Sequence, residues 1–188
     1  MNPPDRYSAD AAGILALYMR LGTDTEPERL SITSLGAWEG ETTDLTRSLS
    51  QVSFGVRHAN GVTMPWTTGV EPAQALADNS RLPGTATWNG DLIGFPPTLD
   101  GVQGDAEISV NLGTMNGRAD FTGLENEDGS TWGDRDLGYA ITVGTNYLRS
   151  TGGDTGTVNG QFYGPNHEGV GGSVERVDLT AAFGARRQ

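Results

Sequence analysis

The chain contains no cysteine, no lysine and only two histidines, and its longest apolar run is AAGILALYM at 11–19. Each shortage excludes a chemistry. Without cysteine there is no disulfide framework, no thiol nucleophile and no thiolate zinc site. Without lysine the glycine-rich stretch VNGQFYGPNHEGVGGS (158–173) is no phosphate loop, and no helical pattern follows it. Two histidines leave few ways to assemble a catalytic triad, and no GxSxG, HExxH or Walker pattern is present. The apolar run at 11–19 is far too short to cross a bilayer, and it follows Asp5 and Asp10 rather than a basic leader, so it is not read as a signal peptide. Positive charge is scarce as well. The net charge of −12 repels phosphate backbones and anionic lipid surfaces. The surplus of acids is greater after residue 82, where 14 acids face 6 arginines, than before it, where 10 face 6. A solubilising surface accounts for it.

Glycine and threonine, by contrast, are abundant, at 28 and 21 residues. Together with short apolar runs they predict many short strands joined by tight turns. The exception is residues 8–21, SADAAGILALYMRL, where Ile14, Leu15, Leu17, Tyr18 and Leu21 share a helical face that Gly22 ends. From Leu30 the apolar period becomes two. SITSLGAW (31–38), QVSFGVRHA (51–59) and GVTMPW (61–66) read as strands, the last two turning at Asn60-Gly61. Residues 67–83 read as an irregular, partly helical connector. Strands then follow at 86–94, 104–112, 117–124, 138–144, 157–164, 169–176 and 178–186. Trp88, Ile108, Val110, Phe121, Tyr139, Ile141 and Phe183 point to one side, and turn signals stand at Asn116-Gly117, Asp128-Gly129 and Gly152-Gly153-Asp154.

The pattern predicts an all-β protein. About eight short strands in 83–188 suit an eight-stranded antiparallel up-and-down barrel or a sandwich, glycine within the strands favouring the barrel, after a small β-rich handle (30–82) and an N-terminal helix with its connector (1–29). Glycines inside the strands relieve crowding where a small barrel bends, and one apolar face per strand implies a packed interior.

LPGTATWNG (82–90), GQFYGPNHEGVGGSVE (160–175) and AAFGARR (181–187) resemble, in order, the barrel signatures of the transferrin-binding-protein-like lipoproteins of Gram-negative bacteria, and SLGAW (34–38) is similar to the handle element that precedes them. The resemblance implies an exported, non-catalytic binding protein at the cell surface or outer membrane, or secreted. Members of that family engage host proteins such as transferrin or complement factor H, or carry haem. The lipobox cysteine of the family is absent from this sequence, and one handle and one barrel do not match the two-lobed transferrin receptor.

His58, in VRHANG, is the sharpest candidate ligand residue. At a strand end beside a turn it is placed to reach a haem or a metal, with Phe54, Met64 and Trp66 as an apolar wall; the plainer reading is a surface or turn-packing histidine. Turn polarity accounts for His167 in GPNHEG. The acidic stretch LENEDGSTWGDRD (124–136) invites a calcium reading. Aligned on Gly129 as the sixth position, an EF-hand loop would have Leu124 first and Arg135 twelfth, so it fails. Gly36-Ala37-Trp38 matches the GxW of lipocalins, but it precedes the barrel by some fifty residues. Trp38, Met64, Trp66 and Trp132 are candidate contact anchors near loop ends, the alternative being burial between handle and barrel.

Three functions follow as expectations: a binder of a host protein or solute, an accessory subunit of a larger assembly that docks through the N-terminal helix, and a haem carrier using His58. The sites expected for them are His58, Met64, Trp66 and Trp132, with no catalytic residue, no metal and no resident cofactor.

Overall fold

The computed structural model describes residues 30–35, 42–49, 51–59, 61–79, 84–133 and 136–188. The helix expected at 8–21, Trp38, and the boundary expected at 82–83 lie outside these residues. Four antiparallel strands come first, β1 (Leu30–Leu35), β2 (Thr42–Ser48), β3 (Val52–Ala59) and β4 (Val62–Gly69), paired in chain order as one sheet. A single turn of helix, α1 (Leu76–Asn79), interrupts the connector. Then come β5 (Thr85–Phe95), β6 (Val102–Asn111), β7 (Asn116–Asn126), β8 (Leu137–Val143), β9 (Tyr147–Gly153), β10 (Thr157–Tyr163), β11 (Gly169–Glu175) and β12 (Thr180–Arg187). Each pairs antiparallel with the next, and β12 pairs back on β5 from Thr180↔Phe95 to Arg187↔Trp88, closing an eight-stranded barrel.

Two strands are absent from the expected set. In TTDLTRS (β2) and YLRSTGG (β9) apolar alternation is nearly missing, since each carries one leucine among polar residues and glycine. Only Leu148 of β9 is buried; the rest of the strand is held by its neighbours' backbone groups, a non-local contribution with no local signature. The Asn116-Gly117 signal is also displaced. Both residues begin β7, and the turn before them is made by Asn111, whose Oδ1 accepts from the Gly113 and Thr114 amides at 3.0 Å each.

Alternation sends Trp88, Ile108, Phe121, Tyr139, Phe162 and Phe183 into the barrel, all fully buried. The rings meet tilted or edge-on, with centroids 5.0 Å apart for Trp88–Phe162 and 5.4 Å for Phe121–Phe183. The Phe183 ring lies over Gly160 and Gly172, where a Cβ would stand 3.1 and 2.8 Å from it. Within VNGQFYGPNHEGVGGS, then, these glycines make room for an aromatic ring.

His167 corrects the sequence expectation of a turn residue explained by its polarity: it is fully buried. It takes a left-handed conformation, φ 61°, at the β10–β11 hairpin. The ring turns back over the barrel mouth, edge-on to Phe162 at 6.1 Å, with Nε2 3.1 Å from Asn146 Oδ1. Its carbonyl accepts a hydrogen bond from the buried Trp88 Nε1 at 2.8 Å. Leu76 of α1, also fully buried, completes this stopper, its amide donating to the Thr145 carbonyl at 3.0 Å. Burial holds the His167 imidazole below its ordinary pKa, more strongly than the Gln74 backbone raises it, and Arg187 acts in the same direction as burial.

The first sheet lies against the outside of the barrel, β3 and β4 resting on β11, β12 and β5. Val52, Phe54 and Val56 of β3 pack with Ile93 and Phe95 of β5, Ala182 of β12 and Tyr163 of β10. Full burial of side chains of this size contributes about 1.5–3 kcal/mol each. The approach is close enough that a Cβ at Gly184 would strike the Phe54 ring, and one at Gly171 would strike Thr67 Oγ1. Arg47 of β2 adds an ion pair to Asp91 at 2.9 Å and a hydrogen bond to Gln103 Oε1 at 3.0 Å.

Two outcomes are expected. Gly184→Ala lowers stability by about 1–3 kcal/mol through overpacking, measured by denaturant unfolding, and adding Phe54→Leu recovers part of the loss. The folded-state pKa of His167 lies below the unfolded value near 6.5, so the unfolded chain takes up the proton first on acidification. Its contribution is present above that pH and is lost as pH falls from there through the lower folded-state value. His167→Asn keeps the left-handed preference and removes the titrating ring. The variant is less stable at neutral pH by about 1–3 kcal/mol, and its melting temperature declines less steeply towards pH 5.

Candidate functional site

Aromatic side chains of the interior, with Leu76 and His167, close that end of the barrel among the described residues. The other end carries the connections 96–101, 127–136, 154–156 and 176–179, the first two the longest in the barrel. Between the first two lies a cleft of about 510 Å³. Its walls are built by local sequence. Pro96-Pro97 stops β5 and turns the chain outward. The Leu99 amide then closes a turn on the Pro96 carbonyl at 2.9 Å with Leu99 at φ 64°, a costly conformation for a branched side chain, which leaves Leu99 exposed.

Across the cleft, Asp128-Gly129 makes the expected tight turn. The Gly129 amide donates to the Asn126 carbonyl at 2.9 Å, and Asp128 Oδ1 accepts from the Ser130 amide at 2.8 Å and from its hydroxyl. These Ser130 bonds hold the Asp128 carboxyl below its ordinary pKa. The returning chain bridges Glu125 to Thr131, and the Trp132 amide donates to the Leu124 carbonyl at 2.8 Å. Trp132 is thereby laid on the barrel core, half-buried, and lines the cleft.

The floor is polar and internally paired. Arg176 grips Asp178 through two bonds of 2.7 and 2.9 Å and donates to the Thr155 carbonyl at 3.2 Å. Tyr139 Oη donates to the same carbonyl at 3.0 Å. The pairing raises the Arg176 pKa and lowers that of Asp178, so both stay charged at neutral pH. Val177, at the apex between them, is 94% exposed.

The four residues expected from sequence fall in three places. Trp132 is in the cleft. Met64 and Trp66 lie together on one face of the first sheet, paired with Arg57 and Gly55, Met64 exposed and Trp66 half-buried. His58 lies on the opposite face, paired with Thr63, with Nδ1 2.8 Å from Thr63 Oγ1. The apolar wall expected around His58 is thus divided by the pleat, because neighbouring strand residues point to opposite sides. Phe54 shares the face of His58 but is spent on the barrel contact. Leu99, Val177 and the Arg176–Asp178 pair were not legible as site residues. Pro96-Pro97 and Asp128-Gly129 were the local signals of built loops there.

No protein-family model and no curated protein matches the sequence. Solved structures do resemble the fold. A transferrin binding protein B from serogroup B Neisseria meningitidis aligns over 92% of this chain with TM-score 0.59 and 17% identity, and a variant of that protein from Haemophilus parasuis over 95% with TM-score 0.57 and 14% identity. The chain spans about two fifths of the length of these two, 38% and 40%. A surface lipoprotein aligns over 98% of this chain and 97% of its own length, with TM-score 0.51 and 14% identity. The chain therefore has the fold of these lipoprotein structures, the fold whose barrel motifs 82–90, 160–175 and 181–187 resemble.

Proposed function

We propose that the chain is a non-catalytic binding protein displayed on the surface of a Gram-negative cell, and that it engages a protein partner. The carrying observation is the filled barrel. Among the described residues Trp88, Phe121, Phe162 and Phe183 are buried in the interior as tilted pairs, which favours recognition at the outer surface over a solute held inside. The cleft with Trp132 supports a partner of macromolecular size, since half-buried aromatics at a rim are effective anchors. The shared fold with proteins named for transferrin binding, and with a surface lipoprotein, supports the surface location and an iron-bearing host protein as the partner class to test first. The division of His58 from Met64 and Trp66 speaks against haem carriage.

The test has two arms. Immobilised chain exposed to host transferrin and lactoferrin is expected to bind one of them saturably, and protease treatment of intact cells is expected to remove the protein. A haem titration is expected to leave the spectrum of free haem unchanged. A Soret band that appears with wild type and vanishes in His58→Ala would replace the proposal with the carrier reading.

A further inference from the structure

The cleft has a chemical character of its own. Its apolar surface is concentrated in Pro96, Pro97, Trp132 and Leu137, and two exposed aliphatic residues flank its lining: Leu99 follows Thr98, and Val177 stands between Arg176 and Asp178. Single exposed aliphatics are ordinary, but these two are chain neighbours of residues that line one cleft, which offers them to a partner seated there. Leu99 reaches that position only through a left-handed backbone, strain that an exposed apolar side chain does not repay within the chain itself.

The rim charge is one-sided. Asp100, Glu125, Glu127, Asp128 and Asp136 are exposed around the cleft. Among the described residues of the four connections Arg176 is the one basic side chain, and Asp178 already engages it twice. Among the described residues the rim around the apolar slot is therefore predominantly negative. The acids do not converge on a metal: among the described residues no cluster of three potential ligands is present.

We propose that this cleft seats an apolar side chain of a basic polypeptide segment, with Trp132, Leu99 and Val177 as the apolar contacts and the acidic rim steering and holding flanking Lys or Arg residues. The inference rests on the protein-binding reading above and names the chemistry of the partner. A volume of about 510 Å³ suits one or two large side chains. Because Arg176 and Asp178 satisfy one another, the partner leaves no charge unpaired in the floor, and its own cations stay at the wet rim. There they contribute mainly to association rate and specificity, and salt weakens them. Nucleic acid and anionic membrane are excluded by the same charge.

The probe is a labelled synthetic dodecapeptide of alternating Lys and Ser with Leu-Phe at its centre, titrated against the full chain by fluorescence anisotropy. Two controls accompany it, one with Glu for Lys and one with Ser for Leu-Phe. The basic apolar peptide is expected to bind, more weakly as salt rises from roughly 0.05 to 0.5 M, and both controls about tenfold or more weaker. Trp132→Ala and Val177→Arg each weaken it by about tenfold. Trp132 also packs on the core, so Val177→Arg, at a site 94% exposed, separates binding from folding. Equal binding of acidic and basic peptides, or indifference to Val177→Arg, overturns the inference. A host protein that binds wild type and Val177→Arg equally well overturns the cleft assignment and leaves the binding-protein reading standing.

Discussion

Closure of the barrel between its first and last strands is the constraint on which the other features depend. β5 has no partner on one side until β12, nearly a hundred residues later, pairs with it along its length. Only then does the ring enclose a volume, which an eight-strand ring leaves small enough for side chains to fill, the tilted pairs Trp88–Phe162 and Phe121–Phe183 among them. The first sheet is laid over this seam. Phe54 and Val56 of β3 share a cluster with Ile93 and Phe95 from one side of the joint and Ala182 from the other, while Arg47 reaches Asp91 beside it. The pairing of greatest sequence separation in the barrel is thus also the one covered by a second layer.

Close approach on both faces of the same strands sets the glycine pattern. On β11, Gly172 faces inward beneath the Phe183 ring and Gly171 faces outward beneath Thr67 and Val52. On β12, Phe183 fills the interior while its neighbour Gly184 admits Phe54 from outside. Alternation alone would place a side chain on the outer face, and the second sheet forbids it. With interior and seam both occupied among the described residues, the proposed recognition surface lies on the connections at the end opposite His167, which carry acids and the exposed Leu99 and Val177.

Much of the fold was legible in the sequence because period-two burial is a local signal. Trp88, Ile108, Val110, Phe121, Tyr139, Ile141 and Phe183 announce their faces without reference to distant residues, and the Asp128-Gly129 turn is where its dipeptide places it. β2 and β9 were not legible, since polar strands between two committed neighbours are recruited by hydrogen bonds from those neighbours rather than by their own burial. Of the candidate site, Trp132 was identifiable by type and by its loop, but its companions were not. Leu99 and Val177 are unremarkable in sequence, nearly eighty positions apart, and barrel closure alone brings their connections to one end.

By itself the sequence determined the all-β class, the inward residues of most barrel strands and a net negative charge, because these depend on residue type and spacing of two. Tertiary structure decided what the histidines do. One local context per residue could not show that His167 turns into the barrel mouth under Trp88 and Phe162, or that the pleat sets His58 against Thr63 and away from Met64 and Trp66. Those outcomes depend on which surfaces become close once the ring is closed, and closeness across a closed ring is a property of the whole chain.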